Sequence, residues 1–310
     1  MNKSDYTIRA YRGTDDVELV SLWNRTLTRD PIHPDLFRFR TLLDPNFKPE
    51  GCLLAEAGGK LVGFILAVGP GVAWTFGTPP GVGKIVGMGV DPGFRRKGLG
   101  KELLEKGMAY LKGRGCKKIN VAAHEYYAAG VDKEAYKPGI ALLSKLGFKE
   151  SYEAVAMGRL LYELDWPEKV REKEAELKKE GIEAVYYEPK YNYAVLEYFK
   201  KEFSDWQPFF ERKITAKDDW DEIVIVMDKG KCEGYCQHLD TDHVGPFGTA
   251  ESMRSKGVGS VMLYRLLDRM REKGYKFCWF GETGRAQPYY ERAKFFVTRK
   301  YACMSWSQPA

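Results

Sequence analysis

Along this chain the apolar and polar positions switch between a period near two and a period near 3.6, marking strands and helices in turn. Cys52 to Glu56 and Leu61 to Val68 alternate about Gly58-Gly59, and Ile223 to Asp228 and Lys231 to His238 do so about Lys229-Gly230; each pair predicts a β-hairpin. Beyond the first hairpin the pattern predicts a strand at 83–90, a glycine loop at 94–98, an amphipathic helix at 99–113 and another strand at 117–123. The same order recurs at 242–249, 254–257, 258–273 and 275–281. Sliding the sequence by 159 residues lays Arg95-Arg96-Lys97-Gly98-Leu99-Gly100 on Arg254-Ser255-Lys256-Gly257-Val258-Gly259. The register runs without a gap from Met88-Gly89 on Phe247-Gly248 to Leu111 on Met270, Gly115 on Gly274 and Val121 on Phe280. Farther on, Ser144 to Phe148 meets Glu291 to Phe295 at an offset of 147, so residues 124–137 hold a surplus loop of the first half. Two α/β units of similar order follow. Pro167 to Gly181, a charged helix with Pro at its start and Gly at its end, marks the junction. The expected division is a domain at 1–165, a linker helix at 166–181 and a domain at 182–310.

Composition agrees with two ordinary cores. At 310 residues the chain has twice the usual domain length, and 44% hydrophobic residues with 14% aromatics exclude a disordered chain. Lys and Arg outnumber Asp and Glu by 49 to 43, a surplus that suits phosphate-bearing small molecules. The basic run Lys112, Arg114, Lys117, Lys118 belongs to no recognised nucleic-acid motif, so no nucleic-acid partner is expected. Of six cysteines only Cys232 and Cys236 are close, with no second ligand pair, and His124-Glu125-Tyr126-Tyr127-Ala128 lacks the second histidine of a zinc-protease motif. Buried or free thiols and no metal are expected. Met1 to Tyr6 lacks the apolar core of a signal peptide and no apolar run approaches a membrane span, so the reading is a cytoplasmic protein without a membrane partner.

A strand, a glycine loop and a helix N-terminus expose backbone N–H groups at the positive end of the helix dipole, a natural anion site. The nucleotide motifs fail: Gly83-Lys84 is followed by Ile85 and position 78 is Thr, and Gly87-Met88-Gly89 is followed by Val90-Asp91-Pro92. The stretch Val90 to Gly100 resembles instead the pyrophosphate loop of the GNAT superfamily of acyl-CoA-dependent N-acetyltransferases, entered from the fourth strand. Leu143-Ser144-Lys145-Leu146-Gly147-Phe148 resembles the end of that family's fourth helix. Both features recur in the second half, so the resemblance covers nearly the whole chain.

The resemblance implies an α/β fold, an α+β mixed sheet in each of two tandem domains, splayed between its fourth and fifth strands with acetyl-CoA in the split. Met88, Gly89 and Val90, and in the second half Phe247, Gly248 and Thr249, would line the pantetheine, with the acetyl carbonyl near the backbone N–H of Met88 or Phe247. Arg95, Arg96, Lys97, Gly98, Leu99 and Gly100, and Arg254, Ser255, Lys256, Gly257, Val258 and Gly259, would hold the pyrophosphate. Direct transfer to an amine needs a base and an acid on opposite sides of the thioester. The family's acid is often a tyrosine on the fourth helix, which is Tyr290 in the second half and Leu143 in the first, where Tyr126, Tyr127 or Tyr136 could substitute. The family's base position, four residues before the acetyl-binding amide, holds Lys84 and His243; an interval of four places each on the face of Met88 or Phe247. The blander readings are a strand-edge histidine beside Asp240 and Asp242, and a packed aromatic beside Tyr289. Glu251 where the first half has Pro92 predicts a different bend into the second loop. The expected function is acetyl transfer from acetyl-CoA to a primary amine, with the second domain favoured as catalytic; the reverse assignment stays open, because Val90-Asp91-Pro92 is the better loop match. The alternative is an acyl-CoA sensor without turnover. Small metabolite, aminoglycoside, polyamine, peptide N-terminus and protein lysine all remain as acceptors; a monomer is plausible and a dimer possible.

Overall fold

The computed structural model describes residues 6–71, 80–122, 127–204, 206–215, 220–238 and 242–309. In chain order these form β1 (Thr7–Ala10), α1 (Asp16–Thr26), α2 (Pro34–Phe37), β2 (Cys52–Ala57), β3 (Lys60–Val68), β4 (Val82–Val90), α3 (Leu99–Gly113), β5 (Lys118–Val121), β6 (Val131–Asp132), α4 (Lys137–Lys145) and β7 (Lys149–Leu160). There follow α5 (Glu168–Lys179), β8 (Ile182–Tyr186), α6 (Asn192–Glu202), α7 (Gln207–Thr215), β9 (Ile223–Asp228), β10 (Lys231–His238), β11 (Val244–Thr249), α8 (Val258–Glu272), β12 (Phe277–Phe280), α9 (Gln287–Arg292) and β13 (Phe296–Ser307). Both hairpins turn through two left-handed residues, Gly58-Gly59 and Lys229-Gly230, as the twist of the flanking strands requires.

Two compact units result, one of Met1–Val155 with Arg299–Ala310, the other of Ala156–Thr298. The chain's last strand thus serves the first unit. Ser305, Trp306 and Ser307 pair antiparallel with Asn120, Ile119 and Lys118, and Ala302 and Met304 join the core beneath α3. The second half of β7 serves the second unit in turn, Met157 to Leu160 pairing with β12. The helix expected as a linker is also part of the second unit: Leu177 of α5 is buried, and Glu174 accepts from Arg265 of α8 at 2.7 Å.

In the first unit β1, β2, β3 and β4 pair antiparallel in that order, and β4 then pairs parallel with β5. One core cluster lies beneath α1 and α2 (Leu19, Leu22, Trp23, Phe37, Phe64), the other beneath α3 (Leu99, Leu103, Leu104, Leu111, Ile119). Each fully buried leucine contributes roughly 2 kcal/mol. In the second unit β8, β9, β10 and β11 are antiparallel, and Tyr187, Tyr198, Phe199, Phe210 and Tyr235 form the core beneath α6 and α7. Most of the aromatic-rich stretch from Tyr186 to Phe210 is therefore packing, although Tyr193 is 75% exposed. All six cysteines are buried and free. No helix among the described residues is long and apolar enough to cross a membrane.

Candidate active site

β4 and β5 pair only from Val82 with Lys118 to Ile85 with Val121; beyond Ile85, β4 runs on without β5. The second unit repeats this split. His243 bridges Trp279 in parallel, the Trp279 amide donates to the Asp242 carbonyl at 2.9 Å, and β11 then continues to Thr249 without β12. Lys84 with Asn120 is the same pair in the first unit, one offset of 159 earlier.

A β-bulge sits at the mouth of each split. On β4 the partners step from Leu66 with Gly87 to Ala67 with Ile85, leaving Val86 over; on β11 they step from Cys236 with Phe247 to His238 with Val244. The extra residue reverses the alternation of side chains. Ile85, Met88 and Val90 pack beneath α3, while Val86 packs beneath α1 and Gly87 lies under Trp23. Lys84, alternating with Ile85, is on the α1 face, opposite Met88. The expectation that Lys84 and His243 share a face with Met88 and Phe247 is overturned, because period-two counting fails across a bulge.

From the split each strand enters its glycine loop with the same backbone. Pro92–Phe94 and Glu251–Met253 form matching 3-10 turns, preceded by Asp91 at ψ 137° and Ala250 at ψ 151°. The different bend expected from Glu251 is absent. Arg96 and Ser255 are left-handed at φ 62° and 68°, and Gly98 and Gly257 at 91° and 83°. Helices of 15 residues follow in both cases. A Cβ at Gly100 would stand 3.5 Å from Val90 and Leu142, and one at Gly259 3.6 to 3.9 Å from Tyr289, Thr249 and Phe247, ordinary packing distances at both helix starts. The first loop is braced more heavily: Asp91 accepts from the Gly93 amide and from Arg25, Arg95 donates to the Val90 carbonyl at 2.9 Å, and Lys97 to the Gly93 carbonyl at 2.6 Å. Arg95, Arg96, Lys97, Arg254, Ser255 and Lys256 are all exposed. The two loops thus share one backbone geometry before the N-termini of α3 and α8, an arrangement able to hold an anion.

Tyr290 on α9 is 5% exposed, with its ring 4.3 Å from Phe280 and 6.1 Å from Phe247. Burial pushes its phenol well above the usual range. It therefore meets the strand residue expected to carry the acetyl amide. Leu143 holds that place in the first unit and is buried in the α3 core. The substitutes considered there are otherwise engaged: the Tyr127 hydroxyl bonds Thr41 at 2.6 Å, and Tyr136 donates to Asp30 at 2.8 Å. Tyr126, His124, Glu125 and Asp240 lie outside the described residues. His243 is 8% exposed, its ring 4.3 Å from that of Trp279, whose indole N–H donates to Asp242. It is no surface histidine.

Three features escaped sequence reasoning. Lys84 is 6% exposed, and burial pushes its amine down to about 8, with Asp44 opposing the shift. Phe203 and Trp206, stacked at 3.9 Å, lie over Gly248, as Trp23 lies over Gly87. Lys173 of α5 lies over Gly257. The last two are long-range contacts with no periodic signal; a lysine in the apolar run from Val82 to Val90 was the available signal for the first.

The model of the acetyltransferase (GNAT) family matches residues 17–131 and again 161–295. This chain belongs to the GNAT family. A mycothiol acetyltransferase of Cellulomonas flavigena is 37% identical over 102 residues, 30% of this chain and 29% of that protein. An acetyltransferase of Pectobacterium atrosepticum is 29% identical over 157 residues, 50% of this chain and 96% of the relative. The match thus spans less than a third of the first relative and nearly all of the second. Among solved structures, a GCN5-related N-acetyltransferase from Sphaerobacter thermophilus shares 17% identity at TM-score 0.71, covering 100% of this chain and 98% of its own. The tandem GNAT protein from the clavulanic acid biosynthesis pathway shares 13% at TM-score 0.65, covering 98% and 99%. At these identities the likeness is one of fold: two GNAT domains in one chain. Among the described residues no group of three His, Cys, Asp or Glu could hold a metal ion.

Proposed function

We propose that this GNAT protein transfers an acetyl group from acetyl-CoA to a primary amine, and that the second unit carries out the transfer. The reading rests above all on the side chains around the second split. Its bulge sends His243 and Phe247 to opposite faces of β11, and Tyr290 packs on the Phe247 side. A base on one side of the thioester and an acid on the other is what direct transfer demands. His243 takes the proton from the acceptor ammonium. The neutral nitrogen then attacks the thioester carbonyl, whose oxygen is held at the Phe247 amide. The C–S bond breaks, the CoA thiolate takes the Tyr290 proton, a proton that burial keeps on the phenol at neutral pH, and the second proton shed by the new amide nitrogen returns through solvent to the phenolate.

Both loops are read as CoA sites. Met88, Gly89 and Val90, with Arg95 to Gly100, form the first; Phe247, Gly248 and Thr249, with Arg254 to Gly259, form the second. The first unit fits binding without turnover, because Leu143 offers no proton and neither Tyr127 nor Tyr136 has a hydroxyl to spare.

The test is a calorimetric titration of the full chain with acetyl-CoA, fitted for the number of sites and repeated with the Arg254→Glu, Lys256→Glu double variant. Two sites falling to one, with amine-dependent release of CoA thiol lost in Tyr290→Phe, is the expected result. Absence of saturable binding at millimolar acetyl-CoA overturns the reading.

A further inference from the structure

The two loops differ in one cation. The first presents Arg95, Arg96 and Lys97; the second presents Arg254, Ser255 and Lys256. In the second unit another element reaches the loop. The stem of Lys173 on α5 lies over Gly257, the left-handed residue that opens α8: a Cβ built at Gly257 would stand 2.6 Å from Lys173 Cγ, 3.0 Å from Cδ and 3.5 Å from Cε. A Cβ built at Gly98, the same position in the first loop, meets nothing within 4 Å. The placement of α5 is fixed by packing. Leu177 is buried, Glu174 holds Arg265 of α8, and the Trp166 indole donates to Asp268. The ammonium of Lys173 pairs with Glu176, one turn along the same exposed face.

We infer that Lys173 is a donor-site residue of the second unit, its ammonium binding a phosphate of CoA and supplying the third cation that Ser255 does not. This rests on the second loop being a CoA site. The ligand chemistry is a phosphate oxyanion, from either the pyrophosphate or the 3′-phosphate. Glu176 parks the ammonium beside the loop, and a phosphate seated on the N–H groups of α8 offers more negative charge than one exposed carboxylate.

The test is titration of the full chain with acetyl-CoA in wild type, Lys173→Met and Lys169→Met, the last removing the exposed charge one turn earlier on the same face of α5, where no contact with the loop is made. Lys173→Met is expected to weaken one of two sites by about 5- to 10-fold, the worth of one charge-assisted contact, and to flatten that site's salt dependence. Lys169→Met should leave both sites unchanged. Repeating with 3′-dephospho-acetyl-CoA separates the sources: a loss that persists assigns the pyrophosphate, and one that vanishes assigns the 3′-phosphate. Unchanged binding at both sites in Lys173→Met overturns the inference, as does an equal loss in Lys169→Met. If Arg254→Glu, Lys256→Glu removes a site that Lys173→Met leaves intact, the donor-site reading stands and this inference falls. If wild type has no site that the double variant removes, the donor-site reading itself has failed.

Discussion

The two units share a backbone and differ in what fills it. Bulge, split, 3-10 turn, left-handed pair and 15-residue helix recur at one offset, yet Met88, Val121, Leu142 and Leu143 of the first unit become Phe247, Phe280, Tyr289 and Tyr290 in the second. Around the second split the rings pack within 4.3 to 6.2 Å of one another. Anion binding by loop amides depends on backbone conformation and tolerates such changes. Proton transfer depends on particular side chains and does not. A duplicated unit can therefore keep a donor site while losing the chemistry.

Tyr290→Phe should break the comparison most sharply. It removes the proposed acid while keeping the ring against Phe280, so amine-dependent CoA release should fall about 100-fold or more, with acetyl-CoA affinity at both proposed sites unchanged. Steady-state rates beside calorimetry would check this, and a rate within threefold of wild type would make Tyr290 a packing residue. Next in size is Arg299→Met. Arg299 bonds Asp30 and Asp132, both largely buried, and its loss leaves them without their cation, costing about 3 kcal/mol. Although Arg299 lies late in the chain, it belongs to the first unit. Hydrogen exchange should quicken in α1 and α4 and stay unchanged in α8; the reverse pattern would contradict the division into units.

That division shows where sequence reasoning reached its limit. The loops, α3 and α8 were legible because glycine at a left-handed position and a 3.6-residue period are local signals. The hairpin at Ile223 to His238 was legible to the residue, since its turn must be left-handed twice. The return of Arg299–Ala310 to the first unit was not. It is a choice of pairing partner, which no local pattern within β7 or β13 encodes. The bulges were hidden for a related reason: an extra residue shows only when both partners of a ladder are known, so Lys84 and His243 were assigned the wrong face.

Lys84 gives the comparison a pH axis. Its amine falls from the ordinary 10.5 to about 8. Between those values the unfolded chain holds a proton that the folded first unit has released, so the contribution of Lys84 to stability rises as pH climbs through that window, against the falling contributions of the buried tyrosines and thiols. Below about pH 8 both states are protonated and the contribution is flat. In urea unfolding, wild-type stability should gain about 2 kcal/mol relative to Lys84→Met between pH 8 and 10.5, the groups common to both proteins cancelling in the difference. Equal slopes in the two proteins would mean that Lys84 stays protonated through the window, held by Asp44.

The smallest effect tests how far the loops are alike. Gly98 and Gly257 are both left-handed, so alanine at either should cost about 1 kcal/mol in backbone strain. Only at Gly257 does the new methyl also meet the stem of Lys173, at 2.6 Å from Cγ, close to the anchored end of that side chain. Relief requires α5 to shift or Lys173 to change rotamer, adding about 0.5 to 1 kcal/mol. Urea midpoints of Gly98→Ala and Gly257→Ala, each also made in a Lys173→Ala background, measure the difference. If Lys173→Ala erases the extra cost at Gly257, the stem is held over the loop and its ammonium is placed beside the donor site before any ligand arrives. If the two glycines cost the same in both backgrounds, Lys173 swings clear freely, and the second loop works with one cation fewer than the first.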